Sequence, residues 1–308
     1  MSSQKDIKDR IQSTKNIRKV TRAMEMVAAA RLRKAEQRIE ELRPYARALR
    51  RLTQQAADAA GKISGVPVLE EREETGTVGL LLLTGDRGLA GPFNSQILKA
   101  GDDRAADIKS DGASVRYYAV GKRGVSSLDF RGVDVAQTYT GFTDRPTFTN
   151  AHDVGQDLVA AYVDGKVDQV DMIYNRYESA MTQYVRRQTL LPLQRAAVFG
   201  DDISEEPDDE EDDSELEAAH KRAQWEYEPE PEKLLEPLTE QYVDLMIYRA
   251  MLESTASEHG ARMTAMRSAA DNAEELIEDL DMEMNRARQQ EITQQILEIV
   301  AGAEALEG

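Results

Sequence analysis

The segment RIQSTKNIRKVTRAMEMVAAARLRKAEQRIEELRPYARALRRL, residues 10–52, decides the fold. From residue 5 to about residue 60 there is one proline, Pro44, and no glycine. Apolar residues recur at Ile17, Val20, Met24 and Val27, then at Leu32, Ala35, Ile39 and Leu42, with Leu49 and Leu52 continuing the row. Steps of three and four are the spacing of a coiled-coil seam. The step of five between Val27 and Leu32 breaks the heptad, so the seam is expected to shift around residues 28–30. About 55 residues at 1.5 Å each make a rod of roughly 80 Å. Pro44 is the expected place for a kink or a local break.

The same period returns at the other end of the chain. Leu238, Leu245 and Leu252 are sevens. Ala273, Ile277, Leu280, Met284 and Ala287 step by fours and threes, as do Ile292, Ile296, Ile299, Ala303 and Leu306. Neither helix carries enough apolar surface to be stable alone, so packing must hold them. Charge favours pairing the two ends. Residues 1–52 hold 15 Lys and Arg against 6 Asp and Glu, whereas residues 234–308 hold 5 against 16. Such attraction is modest and screened by salt. The expected arrangement is an antiparallel coiled coil of residues 1–60 with residues 233–308.

Between the ends the period changes. Strands are expected at 77–84, 115–120, 133–139, 170–177 and 184–191, with helices at 93–108 and 151–163. Strand and helix alternate and two strands adjoin at the end, which gives a small, Rossmann-like α/β domain over residues 77–199 with a mostly parallel sheet. Residues 61–76 read as a linker. Residues 200–232 form an acidic insertion, with 12 acids and no base in 201–217. Such a tract buries too little apolar area to offset its ordering entropy and is expected to be disordered.

Composition narrows the function classes. The 308 residues are 31% charged and only 6% aromatic, a balance suited to long solvated helices. Cysteine is absent, which rules out disulfides and thiolate metal sites. The three histidines, His152, His220 and His259, have no metal-binding spacing. No stretch approaches the roughly 20 apolar residues of a membrane span, and the N-terminus lacks an apolar signal core.

Four segments are candidate sites. GDRGLAGPFN, residues 85–94, follows a buried strand and opens a helix, where backbone N–H groups favour phosphate. Its GxxGxxG spacing matches neither dinucleotide nor P-loop fingerprints, and Asp86 repels phosphate, so a structural turn is the better reading. Residues 15–36 form a basic helix face that suits nucleic acid or an anionic membrane. The segment has no aromatic stacking residues, which favours a coiled-coil face and argues against nucleic acid. Glu258, His259, Arg262 and Arg267 are close together, but Glu258 and His259 are neighbours in sequence and do not share a helical face, which disfavours acid–base chemistry. Residues 285–306 are dense in amides and arginine, then apolar, as a docking surface or a buried amide ladder would be.

All four of these segments carry a family resemblance. DIKDRIQSTKNIRKVTRAMEMVAAARLRKAE (6–36) resembles the N-terminal signature of the gamma subunits of F-type ATP synthases. ASEHGARMTAMRSAADNAEELI (256–277) and NRARQQEITQQILEIVAGAEAL (285–306) resemble the C-terminal signature, and GDRGLAGPFN is similar to the family's glycine loop. The resemblance implies the central rotor shaft of a bacterial enzyme. Ion flow through the c-ring would turn it, and three alpha and three beta subunits would make ATP around it. Partners implied are those subunits, the epsilon subunit and the c-ring. No cofactor, metal or catalytic site of its own is implied. It would be peripheral, on the cytoplasmic side of the cell membrane, held there only through the complex. Carried over motif by motif, Met24, Arg262, Arg288, Gln289 and Thr293 are the coupling contacts. The family often has Glu where this chain has Gln295 and Cys where it has Ala90, and the paired cysteines of the redox-regulated chloroplast form are missing. Free-standing coiled-coil scaffold is the alternative function, and a small nucleotide-binding α/β enzyme with helical arms is a third.

Overall fold

The computed structural model describes residues 4–60, 65–72, 74–194 and 230–307. The acidic stretch 201–217, with its expected disorder, lies outside the described residues. The elements are α1 (Gln4–Ala60), a 3-10 turn (Pro67–Leu69), β1 (Thr77–Leu83), α2 (Phe93–Ser110), β2 (Ser114–Val120), α3 (Lys122–Phe130), β3 (Val135–Tyr139), α4 (Phe148–Val163), β4 (Gln169–Tyr177), β5 (Gln183–Leu191) and α5 (Pro231–Glu307).

Helices α1 and α5 pair antiparallel. Arg18 meets Glu274 at 2.8 Å, Arg22 meets Asp271 at 3.3 Å and Glu25 meets Arg267 at 2.8 Å, so one number rises as the other falls. The first two are the expected pairings of basic N-terminal with acidic C-terminal helix; in the third the charges are reversed. Ile7 and Ile11 pack with Ile277 and Leu280 near one end, and Leu32 and Ala35 pack with Ala256 further along. Helix α1 runs through Pro44 as one helix, so the expected break is not there.

The seam itself differs from the expected one. The buried residues of α1 are Ile7, Ile11, Thr14, Thr21, Ala28, Leu32, Ala35, Leu49, Thr53 and Ala56, with Ala57 beside them. Half-buried Arg18, Glu25, Ile39, Leu42 and Ala46 complete one row of alternating fours and threes from Ile7 to Ala56. The heptad is continuous and nothing shifts at residues 28–30. Apolar residues misled the reading because this stretch of the seam is polar. Thr14 and Thr21 fit it because their hydroxyls donate to their own helix, to Arg10 O and Ile17 O. Ile17, Val20 and Val27 lie one position off the seam and are more than half exposed.

The sheet order is β3-β2-β1-β4-β5. Strands β1 to β4 pair in parallel and β5 returns antiparallel along β4. Alternation along β1 divides the core: Leu80 and Leu82 face α2 and α3, whereas Leu81 and Leu83 face α4 and α5. The helix α3 was not legible in the sequence, because Val125 and Leu128 are its only large aliphatic residues and a glycine, Gly124, lies inside it. The described part of the expected linker is a packed segment: Val66, Val68 and Leu69 are buried in the core, and Val68 O accepts from Leu193 N at 2.7 Å.

Candidate functional site

An open parallel sheet binds ligands in the crevice beyond the carboxyl ends of its strands, where the strand order reverses. Here that point lies between β1 and β4, and α5 crosses it. Ser257 Oγ donates to Asn175 O on β4 at 3.1 Å, and Thr255 Oγ1 donates to Thr143 O at 2.9 Å. Glu258 presses on the glycine loop so closely that a Cβ on Gly85 would come within 2.8 Å of its carboxylate. A cavity of about 10 Å³ is left beneath this crossing, room for about one water molecule. A nucleotide does not fit beside the helix.

Asp86 organises the loops around the crossing. Its carboxylate accepts from Lys122 N at 3.0 Å, Gly141 N at 2.9 Å, Thr143 N at 3.1 Å and Thr143 Oγ1 at 3.0 Å. Burial alone would raise its pKa, but the donors at Gly141, Thr143 and Lys122 outweigh burial and hold it below the usual carboxylate value. Asp144, next along, binds Arg31 of α1 at 2.9 Å and Arg87 of the glycine loop at 3.2 Å. The role of Asp86 as the loops' shared acceptor is not visible in the sequence, since Gly141 and Thr143 are distant from it.

Arg262 is buried against the same loop. It donates to Glu258 Oε1 at 2.5 Å and Gly88 O at 3.2 Å, and lies 3.3 Å from His259 Nδ1. Burial pushes Glu258 above its ordinary pKa, with Arg262 pulling it back. Burial, and then the Arg262 guanidinium, lower His259 to about 4, so its ring is neutral near pH 7. Arg267 is on the surface, paired with Glu25.

Met24 and Arg262 share an open groove of about 470 Å³. One wall is the off-seam side of α1, with Val20, Met24 and Val27; the other is Gly88, Leu89 and Arg123. Leu89 stands 64% exposed at a positive φ of 62°, a conformation bulky residues rarely adopt. Arg31, Arg87, Arg123 and Arg262 line the groove and no acidic residue does. An apolar floor with an arginine rim suits a partner surface that is apolar at its centre and acidic at its edge.

The other candidates lie elsewhere. Arg288, Gln289 and Thr293 are exposed on α5, and Thr293 Oγ1 donates only within its helix, to Gln289 O at 2.9 Å. Gln289 is 27 positions beyond Arg262, roughly 40 Å along the helix. The helix pairing that places Ile7 near Met284 leaves α5 beyond about residue 288 with no described part of α1 opposite it. Ile292, Ile296, Ile299 and Val300 are all about half exposed or more on this projecting end.

The chain matches the family model described as ATP synthase over residues 3–306. It is 38% identical to the ATP synthase gamma chain of Rubrobacter xylanophilus, covering 99% of both chains. It is 37% identical to that of Bdellovibrio bacteriovorus, over the full length of both. Among solved structures, a chain of the central stalk and c-ring of the Tetrahymena thermophila mitochondrial ATP synthase aligns with a TM-score of 0.59 at 26% identity, covering 81% of this chain and 99% of that one. A chain of the Euglena gracilis mitochondrial ATP synthase shares the fold, with a TM-score of 0.65 at 16% identity over 98% and 94% of the two chains. The family model and the relatives both run over nearly the full length, and the chain belongs to the ATP synthase gamma chain family.

Proposed function

We propose that this chain is the central rotor shaft of an F-type ATP synthase and couples ion flow through a c-ring to ATP synthesis by three alpha and three beta subunits. The observation that carries the reading is the bare end of α5: about 20 residues of helix project past the pair with Ile292, Ile296 and Ile299 turned to solvent. Apolar surface of that extent marks an interaction site.

The globular part, residues 77–199, is the foot that meets the epsilon subunit and the c-ring, and the paired ends, 1–60 and 233–308, are the shaft. Met24 and Arg262 in the groove, and Arg288, Gln289 and Thr293 on the projecting end, are the contacts to the beta subunits. The groove and the projecting end each make one side of the shaft unlike the others. As it turns, it contacts each beta subunit differently and so favours a different nucleotide state in each; coupling is that difference in contact free energy. The chain does no covalent chemistry. Among the described residues no helix is long and apolar enough to cross a membrane. We place the protein at the cytoplasmic side of the bacterial cell membrane, held there by its partners.

Co-expression with the alpha, beta and epsilon subunits and the membrane sector that carries the c-ring tests this. A stoichiometric complex that couples ATP synthesis to an ion gradient is expected. A chain that stays out of the complex, or a complex that couples equally well without it, would sink the reading and favour a free-standing scaffold.

A further inference from the structure

We propose that His152 and Asp244 form a proton-operated clasp that fastens α4 of the globular part to the long helix α5 and opens when His152 loses its proton. His152 Nδ1 lies 2.7 Å from Asp244 Oδ2. The two ends differ in surroundings: the His152 side chain is 45% exposed, whereas that of Asp244 is 8% exposed. Solvent therefore reaches the imidazole while the carboxylate stays desolvated. Among the described residues, His152 is the hydrogen-bond partner of Asp244.

The helices meet closely enough for this because of Gly155, one turn after His152. A Cβ there would lie 2.1 Å from Asp244 Oδ1. Phe148, one turn before His152, packs edge-on between Tyr45 of α1 and Tyr248 of α5, with ring centroids 6.5 and 5.8 Å away. The aromatic contacts set the position of α4, and the His152–Asp244 pair adds the part that depends on protons.

The groups that act on His152 are all acidic: Asp244 and Glu240 on α5, and Asp153 on α4. Glu236 lies a turn before Glu240 and acts on it. From α1, Tyr45 reaches this junction through Phe148. The hydrogen bond and charge of Asp244 raise the imidazole above its ordinary value. The contribution is thus complete below the unfolded imidazole pKa, about 6.5, and is lost as pH rises through the higher folded value. Above that value Asp244 remains charged and buried opposite a neutral ring, which is costly. Burial also raises the Asp244 carboxyl, so the ionic pair is bounded on the acid side as well.

The clasp itself stands without the shaft reading; only its consequence, a pH-dependent grip of the foot on the shaft, rests on it. The test uses the full chain with isotope-labelled histidine, in which three imidazoles are followed by NMR. His259 is distinguished by its low pKa, and a His220→Gln background removes the third signal. His152 is expected to titrate above about 6.5 and to fall by half a unit or more in Asp244→Asn. Amide exchange in residues 148–158, corrected for intrinsic rates, should rise several-fold between pH 6 and pH 9 in the parent chain and stay flat in His152→Gln. A His152 that titrates at or below the free-imidazole value, or α4 protection that changes equally in His152→Gln, would overturn the clasp. Co-purification with alpha and beta subunits reports on the shaft reading separately, whatever these titrations show.

Discussion

Arg262 shows how much a single buried charge depends on its neighbours. Its guanidinium is held by Glu258, Gly88 O and the His259 ring, all on α5 or the loop that α5 covers. Arg262→Met keeps most of the volume but strands the Glu258 carboxylate without its counter-charge. Removing one partner of such a pair costs about 3–5 kcal/mol, and urea midpoints on the full chain should show a loss of that size. Removing both charges with Glu258→Gln and Arg262→Met should recover much of it, which a purely steric role for Arg262 would not allow. His259 carries a pH prediction of opposite sign to His152. Its folded pKa of about 4 lies below the unfolded value, so the unfolded chain binds the extra proton as pH falls. Stability should drop between about pH 6.5 and pH 4 by roughly 3 kcal/mol from this group. His259→Gln should flatten that slope in urea melts; an unchanged slope would assign the acid sensitivity to other groups. Residue types were legible in the sequence here, since Glu258, His259 and Arg262 stood out as a group. Their partner Gly88 was not, because only the tertiary crossing of α5 over the glycine loop brings it near.

The seam of the helix pair carries the lesson at the scale of elements. Helices at both ends and their pairing followed from period and charge, and their direction from the intervening domain, which returns the chain to the same end. The register of α1 did not, because Thr14, Arg18, Thr21 and Glu25 occupy seam positions while Ile17, Val20 and Val27 lie outside it. A hydrophobicity count takes the exposed row for the buried one whenever the outer row has a partner of its own. Alanine substitutions distinguish the two registers. Ala28 is 1% exposed in the seam, whereas Ala30 is exposed. Ala28→Leu should therefore overpack the pair and cost about 1–3 kcal/mol, while Ala30→Leu stays within about 0.5 kcal/mol of the parent. Equal losses in thermal melts would mean that the seam runs elsewhere. Arg18–Glu274, Arg22–Asp271 and Glu25–Arg267 add a further expectation. Each involves exposed side chains and is worth about 0–1 kcal/mol, so amide protection in residues 14–28 should weaken with salt more than protection around Leu32 and Ala35.

On the scale of the whole molecule, the chain separates what folds it from what it offers to others. The sheet, the helices on its two faces and the central part of α5 hold the two large apolar clusters. The projecting end of α5 buries none of Ile292, Ile296, Ile299 and Val300. The sequence showed that those residues continue the helical period, but it could not show that α1 ends before reaching them. That follows only from the pairing register, which places Ile7 beside Ile277 and Leu280. Deleting residues 291–308 should consequently leave the isolated chain's thermal midpoint within about 2 °C of the full chain, a shift of roughly 1 kcal/mol for a protein of this size. The effect should appear in the complex instead. With the apolar end removed, the alpha and beta subunits should release the shortened chain faster, and salt should weaken what remains, because the arginine-lined groove is then the main contact left. If the deletion unfolds the isolated chain, the end is part of its core. If it leaves dissociation unchanged, the projecting helix is not where the ring holds the shaft, and the groove that Met24 and Arg262 share becomes the site on which coupling must be explained.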